Sequence, residues 1–213
     1  MDKNKFEVIR LKMERTANSL RRNNMFCECA DNCEDALEII RELLTEGDTI
    51  CAGGSMTLAE SGVMNMLKEG PYNFLDRDRP GITSEERKDI YTAAFSSDVF
   101  ITSSNAITEK GELYNVDGNG NRVAAMIYGP KSVIVVAGYN KIVKDIKEAE
   151  TRVKEIAAPA NAIRLSCGTP CTESGKCMEC MHENRICADT VIMSRQRVKE
   201  RIKVILIGEA LGY

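Results

Sequence analysis

The chain has 213 residues, 43% of them hydrophobic and 29% charged, the balance of an ordinary globular protein long enough to bury a core. Its 29 Lys and Arg against 32 Asp and Glu leave a net charge of −3, which gives no basic footprint for nucleic acid. The longest apolar run, "VIVVA" at 133–137, falls far short of the roughly 20 residues of a membrane-spanning helix.

The opening "MDKNKFEVIRLKMERTANSLRR" is charged throughout and has no apolar signal-peptide core, so the expected location is the cytoplasm. Residues 3–24 read as an amphipathic helix with Phe6, Ile9, Met13, Ala17 and Leu20 on one stripe. "MFCECA" (25–30) reads as a strand, and Asn32 as the cap of a helix running to Leu44 and closed by Gly47. An alternation then begins. "DTICA" (48–52) is a strand, "GGSMT" a turn, and 57–68 a helix ending at Gly70. "YNFLD" (72–76) is a strand, and 83–96 a helix with a capping-box start at Thr83 or Ser84 and Glu86.

"DVFIT" (98–102) is the next strand, followed by a polar loop and by "GELYNVDGNGNR" (111–122), which reads as a hairpin tip or a ligand loop. A short helix at 122–128, the strand "KSVIVVA" (131–137) and a helix over 142–157 stopping before Pro159 complete the alternation. Two apolar strands, "DTVIM" (189–193) and "IKVILIG" (202–208), close the chain. Compact apolar strands alternating with helices predict an α/β fold with a mainly parallel sheet covered on both faces. The expected organisation is an N-terminal helix, 1–24, packed on one domain, 25–213, that includes a cysteine-rich segment at 166–187.

Ligands of open α/β sheets sit where strand ends lead into helix starts. In "CAGGSMTLAES" (51–61), Gly53 and Gly54 allow close backbone approach, and Ser55 and Thr57 add hydroxyls. The same residues also suit a tight turn with a capping hydroxyl. The stretch lacks the GK[ST] ending of a P-loop and the third glycine of a dinucleotide fingerprint, so no NAD or FAD signature is present. Ser103, Ser104 and Asn105 follow another strand, and Asp117, Asn119 and Arg122 form a polar set suited to a carboxylate or phosphate. Two such loops on one sheet edge favour a small-molecule cleft over Asx turns alone. Glu60 and Glu109 are carboxylates in these segments, with no local sign of acid–base tuning. The single histidine, His182, lacks a nucleophile–base pattern, which argues against a hydrolase triad.

Taken together, "GGSMTLAESGV" (53–63), "SSNAITEKGELYNVDGNGNRVAAMIYGPKSVIVVAGYNKIV" (103–143), "AAPANAIRL" (157–165) and "RIKVILIGEALGY" (201–213) resemble the LUD-domain family, which includes the lactate utilisation protein C group. The resemblance implies a Rossmann-like three-layer α/β/α fold like that of sugar-phosphate isomerases, CoA transferases and 5-formyltetrahydrofolate cyclo-ligase. It also implies a link to oxidation of lactate or related hydroxy acids, a redox metabolism in which related proteins work with iron–sulfur subunits. Within the family the chain resembles a short cysteine-bearing branch, seen here as "PC…SGKCMEC…RIC", whereas other members lack these thiols.

Those cysteines fall in "CGTPCTESGKCMECMHENRIC" (167–187) with spacing C-x3-C-x5-C-x2-C-x6-C. In a reducing compartment such a cluster points to metal before disulfides. Cys177-x2-Cys180 is a chelating pair found in zinc and iron–sulfur sites alike. The resemblance places Cys171, Cys177, Cys180 and Cys187 in the ligand set, with Cys167 as a spare. Four thiolates suit a structural zinc or a [4Fe–4S] cluster, and the redox link of the family tilts the choice toward iron–sulfur. Cys27, Cys29, Cys33 and Cys51 read as core cysteines.

Three functions follow as alternatives. One is a metal-binding component of hydroxy-acid oxidation with a small-anion or phosphorylated-ligand cleft. Another is an isomerase- or ligase-type enzyme on a phosphorylated small molecule with structural zinc. The third is a non-catalytic ligand-binding or regulatory protein. The expected partners are that small anionic ligand and the iron–sulfur subunits of a lactate oxidation system, with neither nucleic acid nor membrane; a homo-oligomer stays open.

Overall fold

The structure is a computed structural model and describes residues 2–213. Helix α1 (Lys3–Arg22) starts where the Asp2 carboxylate accepts from the Lys5 amide, and it buries Ile9, Met13, Ala17 and Leu20. Strand β1 (Phe26–Ala30) leads to α2 (Cys33–Glu42), capped by the Asn32 side chain. Strand β2 (Thr49–Ala52) runs into α3 (Met56–Glu60), and α4 (Val63–Glu69) follows at once. Gly62 separates these two helices with a left-handed φ of 80°, so the single helix read over 57–68 is in fact broken.

Strand β3 (Asn73–Leu75) precedes α5 (Ser84–Ala93), whose capping box between Thr83 and Glu86 is complete. Then come β4 (Val99–Thr102), β5 (Ala106–Thr108), β6 (Leu113–Asp117), α6 (Asn121–Tyr128) and β7 (Ser132–Gly138). A 3₁₀ turn at Tyr139–Lys141 leads into β8 (Ile142–Val143) and α7 (Ile146–Arg152). A π turn, Val153–Ala157, joins α7 to α8 (Ala158–Arg164). The chain ends through α9 (Pro170–Ser174), β9 (Asp189–Met193) and β10 (Ile202–Ile207).

Six strands form a wholly parallel sheet in the order β1-β10-β7-β4-β2-β3. Alternate residues of β7 face opposite layers. Val133, Val135 and Ala137 pack with α1, α5 and α6, and Ile134 and Val136 pack with α2, α3 and α4. Each fully buried Ile or Leu in these layers contributes about 1.5–3 kcal/mol. The protein is a Rossmann-like α/β/α fold with a parallel-dominated sheet.

Two features depart from the sequence reading. A second sheet has the order β8-β5-β6-β9; its β5 and β6 lie in residues read as a polar loop and a hairpin tip or ligand loop at 103–122, and its β9 is the strand read at 189–193. Its β5–β6 and β6–β9 pairs are antiparallel, and Ala106, Tyr114 and Val143 bury one face against Ala149, Val153 and Ala157. The helix expected to stop before Pro159 continues instead to Arg164. Pro159 follows the π turn, in which the Ala158 amide bonds Val153 O, and the Lys154 carbonyl is instead taken by the Cys177 amide at 2.9 Å. The residues at 142–143, read as the start of that helix, pair with β5 as strand β8.

Candidate functional site

The carboxyl ends of β2, β4, β7 and β10 lie side by side, because these strands are neighbours or near neighbours in one parallel sheet. Gly53 leaves β2 so close to β4 that an added Cβ would stand 2.6 Å from Thr102 Oγ1 and 3.5 Å from Arg122 Cδ. A Cβ on Gly54 would fall 2.7 Å from Arg77 Nη2. Ser55 caps α3, accepting from the Leu58 amide at 3.4 Å. Thr57 is fully buried; its hydroxyl donates to the Leu211 carbonyl at 3.3 Å and lies 3.5 Å from Ser103 Oγ.

The polar residues of 103–122 divide into two groups. Ser104 Oγ is spent inside the small sheet, on Ala106 O at 2.9 Å and Tyr114 O at 3.1 Å. Asn105 Oδ1 accepts from the Val116 amide at 2.9 Å and from Arg122 Nη2 at 2.8 Å. Asp117 accepts from Arg122 and from the Val123 amide, which fixes the start of α6. Arg122 directs its N–H groups at Asp117, Asn105 and Asn115 and at the carbonyls of Ser103 and Val116. Arg122 is therefore a clamp between β4, β6 and α6, with its fork turned inward on protein acceptors. Asn119 stands exposed in the turn before α6. Thus Gly53, Thr57, Ser103, Asn105, Asp117 and Arg122 come together, whereas Ser104 serves the second sheet and Asn119 faces solvent.

Sequence reasoning missed the residue at the middle of this edge. Lys141, in the turn after β7, is 3% exposed and donates from Nζ to Ser103 Oγ at 3.0 Å. Burial, reinforced by the nearby Arg152 and Arg122 cations, pulls its ammonium down to about 7. Arg152 is also buried; it donates to Asn140 O at 3.1 Å and Asn105 O at 2.6 Å, and burial pulls it down to about 10. The signal for Lys141 was its place directly after a central strand, the same rule that selected Ser103. Glu60 accepts from the Gly212 amide at 2.6 Å, so the segment 209–213 lies across this edge. Glu109 lies elsewhere, ion-paired with Lys12 and Arg15 of α1 at 3.8 and 3.6 Å.

The cysteines also divide. All nine are free thiols. Burial pushes the Cys27 thiol well up, Cys29 up to about 12 and Cys51 up to about 11, so these are protonated packing groups. Burial and Glu209 push Cys33 up to about 11.

In 167–187 the surroundings differ. Cys177 Sγ accepts from the Glu179 amide at 3.4 Å, in a turn where Glu179 takes a φ of 50°. Arg185 ties the carbonyls of Cys180 and Cys187, at 2.8 and 2.7 Å. Cys177 and Cys187 both open onto a cavity of about 250 Å³ walled by Tyr114, Val116, Val153 and Ala158. Thr169 Oγ1 lies 3.2 Å from Cys171 Sγ. Burial, then the nearness of Cys171, raises the Cys167 thiol.

Among the described residues no three His, Cys, Asp or Glu side chains gather closely enough to share one ion. One tetrahedral zinc needs its sulfurs at about 2.3 Å from a single point. Thiols are donors of the kind thiophilic metals take, and of the four expected ligands only Cys177 and Cys187 line this cavity, beside Glu150, Lys154, Glu179 and Arg185.

The fold and this strand-end site define a Rossmann-like α/β/α protein with its polar residues collected at the carboxyl edge of the sheet. The LUD domain family model matches residues 13–207, and the chain belongs to that family, which is associated with lactate utilisation in general. A crystal structure of a DUF162 family protein from Deinococcus radiodurans, the same family, superposes with a TM-score of 0.54 at 13% identity, covering 93% of this chain and 98% of that one. Chains of eIF2B beta and eIF2B delta from Chaetomium thermophilum overlap 56% and 54% of this chain, and 45% and 49% of their own length. Their TM-scores are 0.38 and 0.35, at 14% and 20% identity. Among curated proteins none matches the sequence. Among the described residues no helix is long and apolar enough to cross a membrane.

Proposed function

We propose that this protein is a component of lactate or related hydroxy-acid oxidation that holds a small anionic ligand at the carboxyl edge of its main sheet. The observation that carries this reading is the convergence of the ends of β2, β4 and β7 on one buried polar cluster, Thr57, Ser103 and Lys141. Lys141 Nζ has a single protein partner there, and a buried amine so sparsely partnered is what a ligand site retains. The family's association with lactate utilisation supplies the ligand class.

The reading also gives segment 167–187 a metal role. Cys171, Cys177, Cys180 and Cys187 are the thiols that would hold an iron–sulfur cluster, with Cys167 in reserve. Bound there, a cluster supplies one-electron transfer. The chain's own contribution is the Cys177 turn and the Arg185 fork, which tie the segment internally, and the Cys177 and Ala188 amides, which fasten it to Lys154 O of the π turn and Asp117 O of β6.

The test is the melting temperature of anaerobically purified protein titrated with L-lactate, pyruvate and a sugar phosphate. A rise with the hydroxy or keto acid is expected. A rise only with the sugar phosphate would move the protein to isomerase- or ligase-type chemistry, and no rise with any of them would remove the cleft.

A further inference from the structure

The cavity of about 250 Å³ beside the cysteine segment is separate from the sheet-edge cluster, since none of Thr57, Ser103 and Lys141 lines it. It has room for about eight waters, the size of a small organic molecule. Its floor is apolar, formed by Val116 of β6, Val153 of the π turn and Ala158 of α8. The π turn in its wall is a form that is rare in helices and concentrates at functional sites. The polar rim carries charges of both signs. Lys154 Nζ bridges Glu150 Oε1 at 2.8 Å and Glu179 Oε1 at 2.7 Å, which leaves the second oxygen of each carboxylate able to accept. Arg185 spends Nη1 on Cys180 O and Nη2 on Cys187 O. Its Nε is buried and meets no acceptor among the described residues. A buried guanidinium N–H in that state costs stability until something supplies the acceptor.

We propose that this cavity binds a small zwitterion, an α-amino acid with an apolar side chain. Each part of such a ligand answers a group that the protein leaves over. The ligand carboxylate accepts from Arg185 Nε, and the ligand ammonium donates to the spare oxygens of Glu150 and Glu179. Its side chain covers Val116, Val153 and Ala158. A simple anion would gain Arg185 but stand against the two glutamates. A simple cation would gain the glutamates but stand against Arg185 and Lys154. The Tyr114 phenol also lines the space; burial, then Glu150, raises it, so it stays protonated and able to donate to the ligand carboxylate. Recognition uses neither Cys177 nor Cys187, which only border the space.

Titration calorimetry on the full chain as purified tests this with L-valine, L-leucine and L-phenylalanine. Isocaproate and isoamylamine serve beside them, because each keeps the leucine skeleton and lacks one charged end. The expected result is binding of L-leucine, with both one-ended molecules weaker by about tenfold or more. E150Q alters a half-exposed side chain and should weaken L-leucine several-fold with the fold intact. A158F fills the floor of the cavity and should abolish binding. R185K carries the same test should A158F fail to fold, with an expected loss of about tenfold, since lysine lacks the guanidinium fork. Undiminished binding in these variants would overturn the cavity as the place of binding. Isocaproate or isoamylamine binding as tightly as L-leucine would overturn the zwitterion assignment, and no binding of any amino acid would overturn the site. Pyruvate and L-lactate should not compete with L-leucine; competition would overturn the separation of the two sites. The sheet-edge reading fails separately, when neither acid raises the melting temperature, and that result leaves L-leucine binding as expected here.

Discussion

Arg122 and Asp117 form an ion pair of 2.6 Å in which the two side chains are only 13% and 8% exposed. The pair locks the end of β6 to the first turn of α6, and the same guanidinium reaches back to the Ser103 carbonyl at 2.7 Å. It thereby fixes the relation between the main sheet and the small one. Removing either partner strands a buried charge, so R122A or D117A should cost about 3–5 kcal/mol in urea unfolding. A cost below about 1 kcal/mol would mean that the clamp is not structural.

Gly111 gives a second stability prediction. It has a φ of 80°, and an added Cβ would lie 2.6 Å from the backbone carbon of Ser19 in α1. The Asn23 side chain seals the same junction by donating to Lys110 O and Gly111 O, both at 3.0 Å. G111A should destabilise the fold by about 2 kcal/mol, since left-handed strain adds to the overlap. Faster hydrogen exchange in α1 would locate the damage.

The sheet-edge amine predicts a pH signature in the protein without ligand. Lys141 loses its proton at about 7 when folded and near its ordinary value of 10.5 when unfolded. Between these two values the unfolded chain binds the extra proton, so this group's contribution to stability improves as pH rises. Below 7 both states are protonated and the burial penalty is constant. The stability of the unaltered protein minus that of K141M should therefore climb between pH 7.5 and 10, by up to about 1.4 kcal/mol per unit. A flat difference would show that the amine stays charged in the folded state.

Much of this frame was legible in sequence because the relevant signals are local. The five apolar runs of the main sheet other than β3 are short and dense, and Asn32 and Thr83 with Glu86 mark helix starts by side-chain chemistry alone. Of the small sheet only β9 was legible as a strand, at 189–193. Asn115 and Asp117 are polar residues inside β6, buried by partners on neighbouring elements, Ser104 and Arg122, which lie 11 and 5 residues away. Local pattern reads such residues as loop.

The rule that ligands gather at strand ends gave Gly53, Thr57 and Ser103, which the fold brings to one sheet edge. That rule did not extend to Lys141, because a lone lysine after a strand normally reads as a solvated charge. Arg152 was hidden for a similar reason, since its burial depends on carbonyls of Asn105 and Asn140, which belong to other elements. Arg122 was found, but its direction could not be. Only the assembled fold shows that it is turned toward five protein residues.

The cysteine segment makes its own prediction at the level of single thiols. Cys177 is seated by the Glu179 amide and the Lys154 carbonyl, and Cys187 by the Arg185 fork. C177S and C187S should each reduce bound metal by at least half and open the segment to protease, while C27S and C51S should leave the metal content unchanged. Equal loss in all four variants would point to general unfolding.

The central claim is that the protein serves redox metabolism, and the most direct measurement is the iron, sulfide and zinc content of anaerobically purified protein, with its visible spectrum before and after dithionite. A brown protein with iron and acid-labile sulfide that bleaches on reduction is the predicted result. Colourless protein, whether it holds one zinc per chain or no metal, would contradict it.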